Sequence, residues 1–240
     1  MAERAAIVTG ASSGIGLAIA RLLGQEGYGL TVAARRPEKL QAAADELRGE
    51  GFDLVEVPAN LTSEEDVQKV VAAHRDRYGR LDVLVNNAGV GIGAPVGETV
   101  TKRLDMQLDL NIRSIVLFYR ECLDMLKAAG AEHHNALVVN TASIAGKHGQ
   151  AWLAIYSATK HAVVGYSHSM NQELAPEGIK SCALCPAFVD TPMTDFVKGE
   201  VSPEEMIRPE DIAASVRFLL SLSPACIVPE IMFVRPGDSL

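Results

Sequence analysis

The sequence is poor in several features that would each point to a different kind of protein. It has four cysteines among 240 residues, too few to staple a domain of this size, which excludes a disulfide-dense secreted scaffold and fits a reducing cytoplasm. No apolar run approaches the roughly 20 residues that cross a bilayer, so no membrane span is expected. Basic residues are the minority, 22 Lys and Arg against 30 Asp and Glu, for a formal charge of −8. That balance argues against bulk binding to nucleic acid or to anionic membranes, but says nothing about one small anion in a local pocket. There is no Gly-Lys-Ser/Thr, so a P-loop for ATP is excluded. There is no linker, repeat or low-complexity tract. His74, His133, His134, His161 and His168 show no metal-ligand spacing with carboxylates; they are expected at the surface or an interface, and no metal is expected. The first buried strand is expected from Ala5, which leaves no room ahead of it for a signal segment.

What is present is ordinary globular material. Hydrophobic residues make up 48% and charged residues 22%, which fits a folded chain and no fibrous repeat. The length allows one large domain or two small ones. Short apolar runs predict strands at Ala5–Val8, Gly29–Ala34, Asp53–Val57, Val83–Asn86, Ala136–Asn140, Ser181–Cys185 and Ile231–Val234. Amphipathic stretches predict helices near Gly14–Gln25, Pro37–Arg48, Ser63–Tyr78, Lys102–Ala128, Tyr156–Leu174 and Pro209–Leu222. Ser63-x-x-Asp66 reads as a capping box. Continuously apolar strands alternating with helices predict a parallel sheet covered on both faces. The expected fold is therefore a three-layer, Rossmann-like α/β arrangement with seven parallel strands. Ligands of such sheets bind beyond the carboxyl ends of the strands, at the topological switch point. Cys182 and Cys185 form a CxxC, but inside a strand their side chains face opposite sides, so a core role outweighs redox or zinc chemistry.

After the first strand comes Thr9-Gly10-Ala11-Ser12-Ser13-Gly14-Ile15-Gly16, then an apolar helix. Glycines there let the chain turn tightly and let a pyrophosphate approach the helix N-terminus. The second strand ends Ala34-Arg35-Arg36. A site for NAD places an acidic residue near this point to hold the ribose 2′-hydroxyl. Two guanidinium groups suit a 2′-phosphate instead, so NADP(H) is the expected cofactor.

Tyr156-Ser157-Ala158-Thr159-Lys160 opens a helix, and its i, i+4 spacing puts phenol and ammonium on one face. A nearby cation favours the phenolate and lowers a tyrosine pKa from about 10. Ser143 follows the strand Ala136–Asn140, so a strand end and a helix start can converge on one crevice.

Together these motifs resemble the short-chain dehydrogenase/reductase family, in its single-domain branch. The resemblance runs from Ala5 to about Val234. It rests on Thr9-Gly10-x3-Gly14-x-Gly16, Asn86-Asn87-Ala88-Gly89, Asn111, Ser143, Tyr156-x3-Lys160 and Pro186-x4-Thr191. It implies that Tyr156 is the general acid in carbonyl reduction and the base in alcohol oxidation. It implies that Ser143 steadies the substrate oxygen, and that Lys160 tunes Tyr156 and holds the nicotinamide ribose. Asn111 would hold a water in a proton relay, or bend its helix. Gly10, Ser12, Ser13, Gly14, Ile15, Gly16, Arg35, Arg36, Asn60, Leu61, Asn87, Ala88, Gly89, Pro186, Val189 and Thr191 would hold the cofactor with Tyr156 and Lys160. Residues 1–240 would then form one cofactor-binding and catalytic domain.

Three departures qualify that picture. Asn60 stands where the family often has aspartate. Pro186-Ala187 replaces the usual Pro-Gly, so Ala187 would be strained if the loop needs a positive φ. The tail lacks the common Asp-Gly-Gly ending. Substrate walls are expected from Val90–Val96, Ile144–Leu153 and a short lid at Ala187–Pro203. Lys147, His148, Gln150 and Trp152 are candidates for a polar or acidic substrate group, and Phe188 and Met193 for an apolar wall. The helices Lys102–Ala128 and Tyr156–Leu174 carry more apolar residues than one face needs, such as Ile115, Val116, Leu117, Phe118, Val163 and Val164; the resemblance implies that such helices pair between subunits, so a homodimer or homotetramer is expected. The leading reading is a carbonyl reductase or alcohol dehydrogenase. A catalytically silent NADP-binding sensor on the same fold is its rival, and a sugar-nucleotide epimerase would need a larger substrate region.

Overall fold

Every apolar run expected to be a strand is one in the computed structural model, which describes residues 3–199 and 201–238. The strands are β1 (Arg4–Thr9), β2 (Tyr28–Ala34), β3 (Leu54–Pro58), β4 (Val83–Asn86), β5 (Ala136–Thr141), β6 (Ile179–Pro186) and β7 (Glu230–Phe233). They pair in parallel in the order β3-β2-β1-β4-β5-β6-β7. The helices are α1 (Gly14–Gln25), α2 (Pro37–Gly49), α3 (Glu64–Tyr78), α4 (Thr101–Leu108), α5 (Ser114–His133), α6 (Ala154–Leu174) and α7 (Pro209–Ser221).

Alternation along each strand feeds two cores. Ile7, Leu84, Val138 and Ala183 pack with α3, α5 and α6, through Val67, Phe118 and Val163. Ala6, Val8, Val85 and Val139 pack on the other face with α1, α2 and α7, through Ile19, Leu40 and Val216. The two-residue period of a strand requires this division. It also separates the CxxC pair: Cys185 lies in the first core and Cys182 in the second. Burial pushes their thiols up, Cys182 to about 12 and Cys185 to about 11, so neither is a thiolate near neutral pH.

The chain changes direction across the sheet between β1 and β4, which opens a crevice beyond their carboxyl ends. Thr9 closes the base of this opening. Its hydroxyl accepts from the backbone N–H of Asn87 and of Ala88, both at 3.0 Å, and donates to the Val85 carbonyl.

Four expectations change. The helix expected over Lys102–Ala128 is broken by a π-helical turn at Asp109–Arg113, which separates α4 from α5. The Ser63 hydroxyl caps α3 by accepting from Asp66 N–H, but the Asp66 carboxylate reaches back to Asn60 N–H instead of closing a reciprocal box. His74 is fully buried rather than at the surface. Its Nε2 donates to the Arg80 carbonyl and its Nδ1 accepts from the Thr31 hydroxyl, and burial lowers its pKa to about 4. Finally, Ile115, Leu117, Phe118, Val163 and Val164 all turn into the chain's own core, leaving only Val116 of that set exposed. A helix lying on a broad sheet needs a wide apolar face, and that need absorbs the apparent surplus.

Candidate active site

One crevice of about 1260 Å³ gathers nearly all the candidate residues. Gly10, Ser12, Ser13, Gly14, Ile15, Arg35, Arg36, Asn60, Leu61, Asn87, Ala88, Gly89, Ser143, Tyr156, Lys160, Pro186, Val189 and Thr191 line it. Gly16 and Asn111 stand behind its wall, as both are buried and neither lines the opening.

The first turn is shaped to receive a group. Gly10 and Gly14 have φ of +65° and +56°, a region that disfavours other residues. A Cβ on Gly16 would lie 2.3 Å from the Gly10 carbonyl oxygen, so the helix can approach the loop this closely only with glycine. Ser13 makes no side-chain cap to α1, and no acidic residue stands in the helix's first turn. The first N–H groups of α1 are thus aimed at the crevice without a side-chain acceptor, as an anion site requires. Across the opening, Arg35 and Arg36 are exposed after β2, with no ion-pair partner among the described residues. The volume, the free helix end and the two guanidinium groups fit a phosphorylated dinucleotide.

At the other end, Tyr156 and Lys160 sit one turn apart near the start of α6. The Lys160 ammonium lies 5.6 Å from the Tyr156 ring centroid and donates to the Thr141 carbonyl at 2.7 Å. Burial lowers Lys160 to about 8. Burial also raises Tyr156, against a smaller lowering by Ser143. Desolvation of the phenolate therefore dominates Tyr156 in this geometry, where the Lys160 ammonium is bonded to the Thr141 carbonyl. Ser143 donates to the Pro186 carbonyl over 3.3 Å and accepts from Ala145 N–H. A neutral bond this long yields readily to a stronger acceptor.

Asn111 lies in the π turn with both amide hydrogens committed, to the Val90 carbonyl at 2.8 Å and the Thr159 hydroxyl at 3.1 Å. Its Oδ1 accepts from Val90 N–H at 2.8 Å. The side chain thus grips one residue of the crevice wall, Val90, through both its N–H and its carbonyl. Asn60 keeps its place on the rim, its Oδ1 accepting from Thr62. Ala187 is unstrained: among the described residues the positive-φ residues other than glycine are His134 and Trp152, and Ala187 N–H donates to the Phe233 carbonyl at the end of β7. Of the substrate candidates, Gln150, Trp152, Phe188 and Met193 line the crevice. Lys147 does not; it pairs with Glu230 at 2.9 Å. In the tail, Arg235 pairs with Asp238 and lies 5.3 Å over the Phe188 ring. Glu200 of the expected lid, and Ser239 and Leu240, lie outside the described residues. Among those described, no group of three His, Cys, Asp or Glu is placed to hold a metal.

The sequence profile described as short chain dehydrogenase matches residues 4–201. The chain belongs to the short-chain dehydrogenase family. A Streptomyces coelicolor protein named for ketoacyl reduction is 37% identical over 252 residues, covering 97% of this chain and 95% of its own length. An uncharacterised oxidoreductase of Staphylococcus haemolyticus is 34% identical, with 97% of each chain covered. Among solved structures, a variant of actinorhodin polyketide ketoreductase with NADPH is 35% identical, with a TM-score of 0.86 and 97% of each chain covered. An alcohol dehydrogenase from Thermococcus sibiricus, complexed with 5-hydroxy-NADP, is 29% identical, with a TM-score of 0.87 and coverage of 98% of this chain and 97% of its own. This short-chain dehydrogenase is thus an oxidoreductase on a Rossmann-like sheet.

Sequence reasoning did not assign three residues that hold this short-chain dehydrogenase site together. Thr141 anchors Lys160 through its carbonyl, and its hydroxyl donates to Asn87. Thr159 donates to the Tyr156 carbonyl and accepts from Asn111. Gln107 accepts from Ile92 N–H while 1% exposed. A signal existed for Gln107: it lies four residues before Asn111, on the same helical face.

Proposed function

We propose that this short-chain dehydrogenase interconverts a ketone and a secondary alcohol, or an aldehyde and a primary alcohol, with NADP(H). The observation that carries the reading is the meeting of Ser143, Tyr156 and Lys160 with the glycine turn and Arg35-Arg36 in one crevice. When bound, the nicotinamide supplies or accepts a hydride at the carbonyl carbon. The protein's residues orient the oxygen and move the proton. Ser143 exchanges its long bond to Pro186 for one to the substrate oxygen, steadying charge that develops there. Tyr156 gives that oxygen its phenolic proton, and burial keeps the proton on the phenol at neutral pH until then. The Lys160 ammonium, fixed by Thr141, stabilises the phenolate left behind. Asn111, whose amide hydrogens serve Val90 and Thr159, positions the loop beside Tyr156, and its Oδ1, which accepts from Val90 N–H, has a second lone pair for the relay water.

Gly10, Ser12, Ser13, Gly14, Ile15 and Gly16 would hold the pyrophosphate, and Arg35 and Arg36 the 2′-phosphate. Asn60, Leu61, Asn87, Ala88 and Gly89 would line the adenosine and central segment, and Pro186, Val189 and Thr191 the nicotinamide. The cofactors named with similar structures vary, since a Brucella melitensis 3-ketoacyl-(acyl-carrier-protein) reductase was solved with NADH. The local Ala34-Arg35-Arg36 sequence favours the phosphorylated form here. Residues 1–240 work as one unit, because these groups interleave along the whole sheet. A cytoplasmic setting fits the four free cysteines. A homodimer or homotetramer would use the outer faces of α5 and α6, where Val116, Ala158, Ala162 and Gly165 are exposed; a monomer in light scattering would refute it.

The deciding variant is Tyr156→Phe. NADPH oxidation with a ketone should fall by about 10²–10⁴, the usual worth of a positioned general acid, while NADPH binding followed by its fluorescence is retained. Unchanged turnover would remove the mechanism. A silent sensor would show no turnover in either form.

A further inference from the structure

We propose that Trp152 and Phe196 form the specificity-determining wall at the carbonyl end, and that the substrate is a neutral ketone with a broad apolar group close to its carbonyl. This rests on the carbonyl-reduction reading above.

Two large aromatic side chains are left in water at this mouth. Trp152 is 53% exposed and Phe196 is 62% exposed, yet both line the crevice. Their rings meet edge to face, with centroids 6.2 Å apart. Trp152 reaches this position at a backbone cost. Its φ is +56°, which is uncommon for a bulky residue and persists only where the surroundings enforce it. The enforcement is visible. The Trp152 carbonyl accepts from Ala94 N–H at 2.7 Å. The indole lies so close over Gly93 that a Cβ there would come within 1.7 Å of it. The loop that carries Gly93 is itself held by two buried amides, Asn111 on Val90 and Gln107 on Ile92. Strained, clamped and half-exposed, the indole lies outside the core and lines the crevice.

The same loop sets a length. At Gly91 it passes the Tyr156 ring, where a Cβ would lie 3.5 Å from it, and at Gly93 it passes Trp152. Two residues of chain span at most about 7 Å. Tyr156 and the indole are thus neighbours along one stretch of the crevice wall, so a group attached to a carbonyl held at Tyr156 has the indole beside it. Ile92, Ile144, Phe188 and Met193 extend the apolar lining. The charges nearby discourage an anion. Apart from Arg35 and Arg36 at the dinucleotide end, the charged lining is Lys102 and Lys160 against Asp105 and Asp109, which leaves no net positive charge there to hold an anion. Lys147 is held by Glu230, and Lys198 by Asp190 and Asp195.

The test uses the full chain with NADPH and three probes: 2-tetralone, cyclohexanone and 4-oxopentanoate. Expected kcat/KM is highest for 2-tetralone, about tenfold above cyclohexanone, and lowest for the carboxylate. Trp152→Ala and Phe196→Ala should each lower the tetralone-to-cyclohexanone ratio about fivefold to tenfold, and Trp152→Phe should restore most of it. Gly93→Ala should mimic Trp152→Ala by displacing the ring. Trp152 is the only tryptophan, so 2-tetralone should also change the intrinsic fluorescence of wild-type protein held with NADP, independently of turnover. An unchanged ratio in both alanine variants overturns the proposal, as does preference for 4-oxopentanoate. Equal turnover of the two neutral ketones overturns it while leaving carbonyl reduction standing. No turnover of any ketone overturns both.

Discussion

The crevice has two ends built on different principles. The dinucleotide end is made mainly of backbone: tight glycine turns, a free helix terminus, and Asn87 and Ala88 tied to Thr9. The carbonyl end is made of side chains brought from separate loops, with Trp152, Met193 and Phe196 still exposed. A backbone site needs a particular conformation, and only certain residues permit it, so it leaves a local mark in the sequence. A side-chain wall needs only shape and polarity, which many loop sequences supply. The carbonyl end also holds Ser143, Tyr156 and Lys160, with Tyr156 and Lys160 fixed one turn apart on α6.

Acidity divides the two ends most sharply. Lys160 carries charge below about 8 and loses it above. Stabilising the Tyr156 phenolate needs that charge. Ketone reduction should therefore hold level up to about pH 8 and then fall about tenfold per unit in kcat/KM. The Lys160→Met variant should lose on the order of 100-fold at neutral pH and show no such limb. Binding of the 2′-phosphate through Arg35 and Arg36 should stay flat over the same range, because guanidinium groups remain protonated. A limb that persists in Lys160→Met would assign it to another group and erase this difference between the ends.

The next effect belongs to the dinucleotide end alone. Arg35→Ala should weaken NADPH binding about tenfold to 100-fold, the worth of a lost hydrogen bond to a charged group, and leave NADH affinity within about twofold. Titration of both cofactors by fluorescence checks this. Equal losses for the two cofactors would mean that Arg35 shapes the turn after β2 and does not read the phosphate. Wild-type preference for NADH would overturn the reading of Ala34-Arg35-Arg36.

The same contrast explains what could be read in advance. The strands were legible because the inner ones are apolar on both faces, the edge strands β3 and β7 are mostly apolar, and each is followed by a turn or loop. Gly10, Gly14 and Gly16 were legible because their backbone excludes other residues. Tyr156 and Lys160 were legible through helical spacing. His74 was not, since its burial depends on meeting Thr31 and the Arg80 carbonyl, contacts that no local pattern announces. The π turn at Asn111 was equally hidden: its stretch keeps helical periodicity while the hydrogen bonds slip by one residue. The left-handed Trp152 depends on an empty Cβ position at Gly93, fifty-nine residues away in sequence.

The smallest effect tests the edge of the carbonyl end. From sequence, Lys147 is a candidate for gripping an acidic substrate, lying four residues after Ser143. In the fold its ammonium bonds both oxygens of Glu230, at 3.0 and 2.9 Å, and it lies outside the crevice lining. Lys147→Ala should then change kcat/KM by less than about twofold for 2-tetralone and 4-oxopentanoate alike. Stability should drop by under about 1 kcal/mol, as for a partly exposed ion pair. Glu230 is partly exposed, so water replaces Lys147 at its carboxylate and the loss does not strand it. A selective loss of tenfold for the carboxylate would show that Lys147 leaves Glu230 to meet an anion. That result would turn the carbonyl end from an apolar wall into a charge-reading one, and it would make the two ends of the crevice alike.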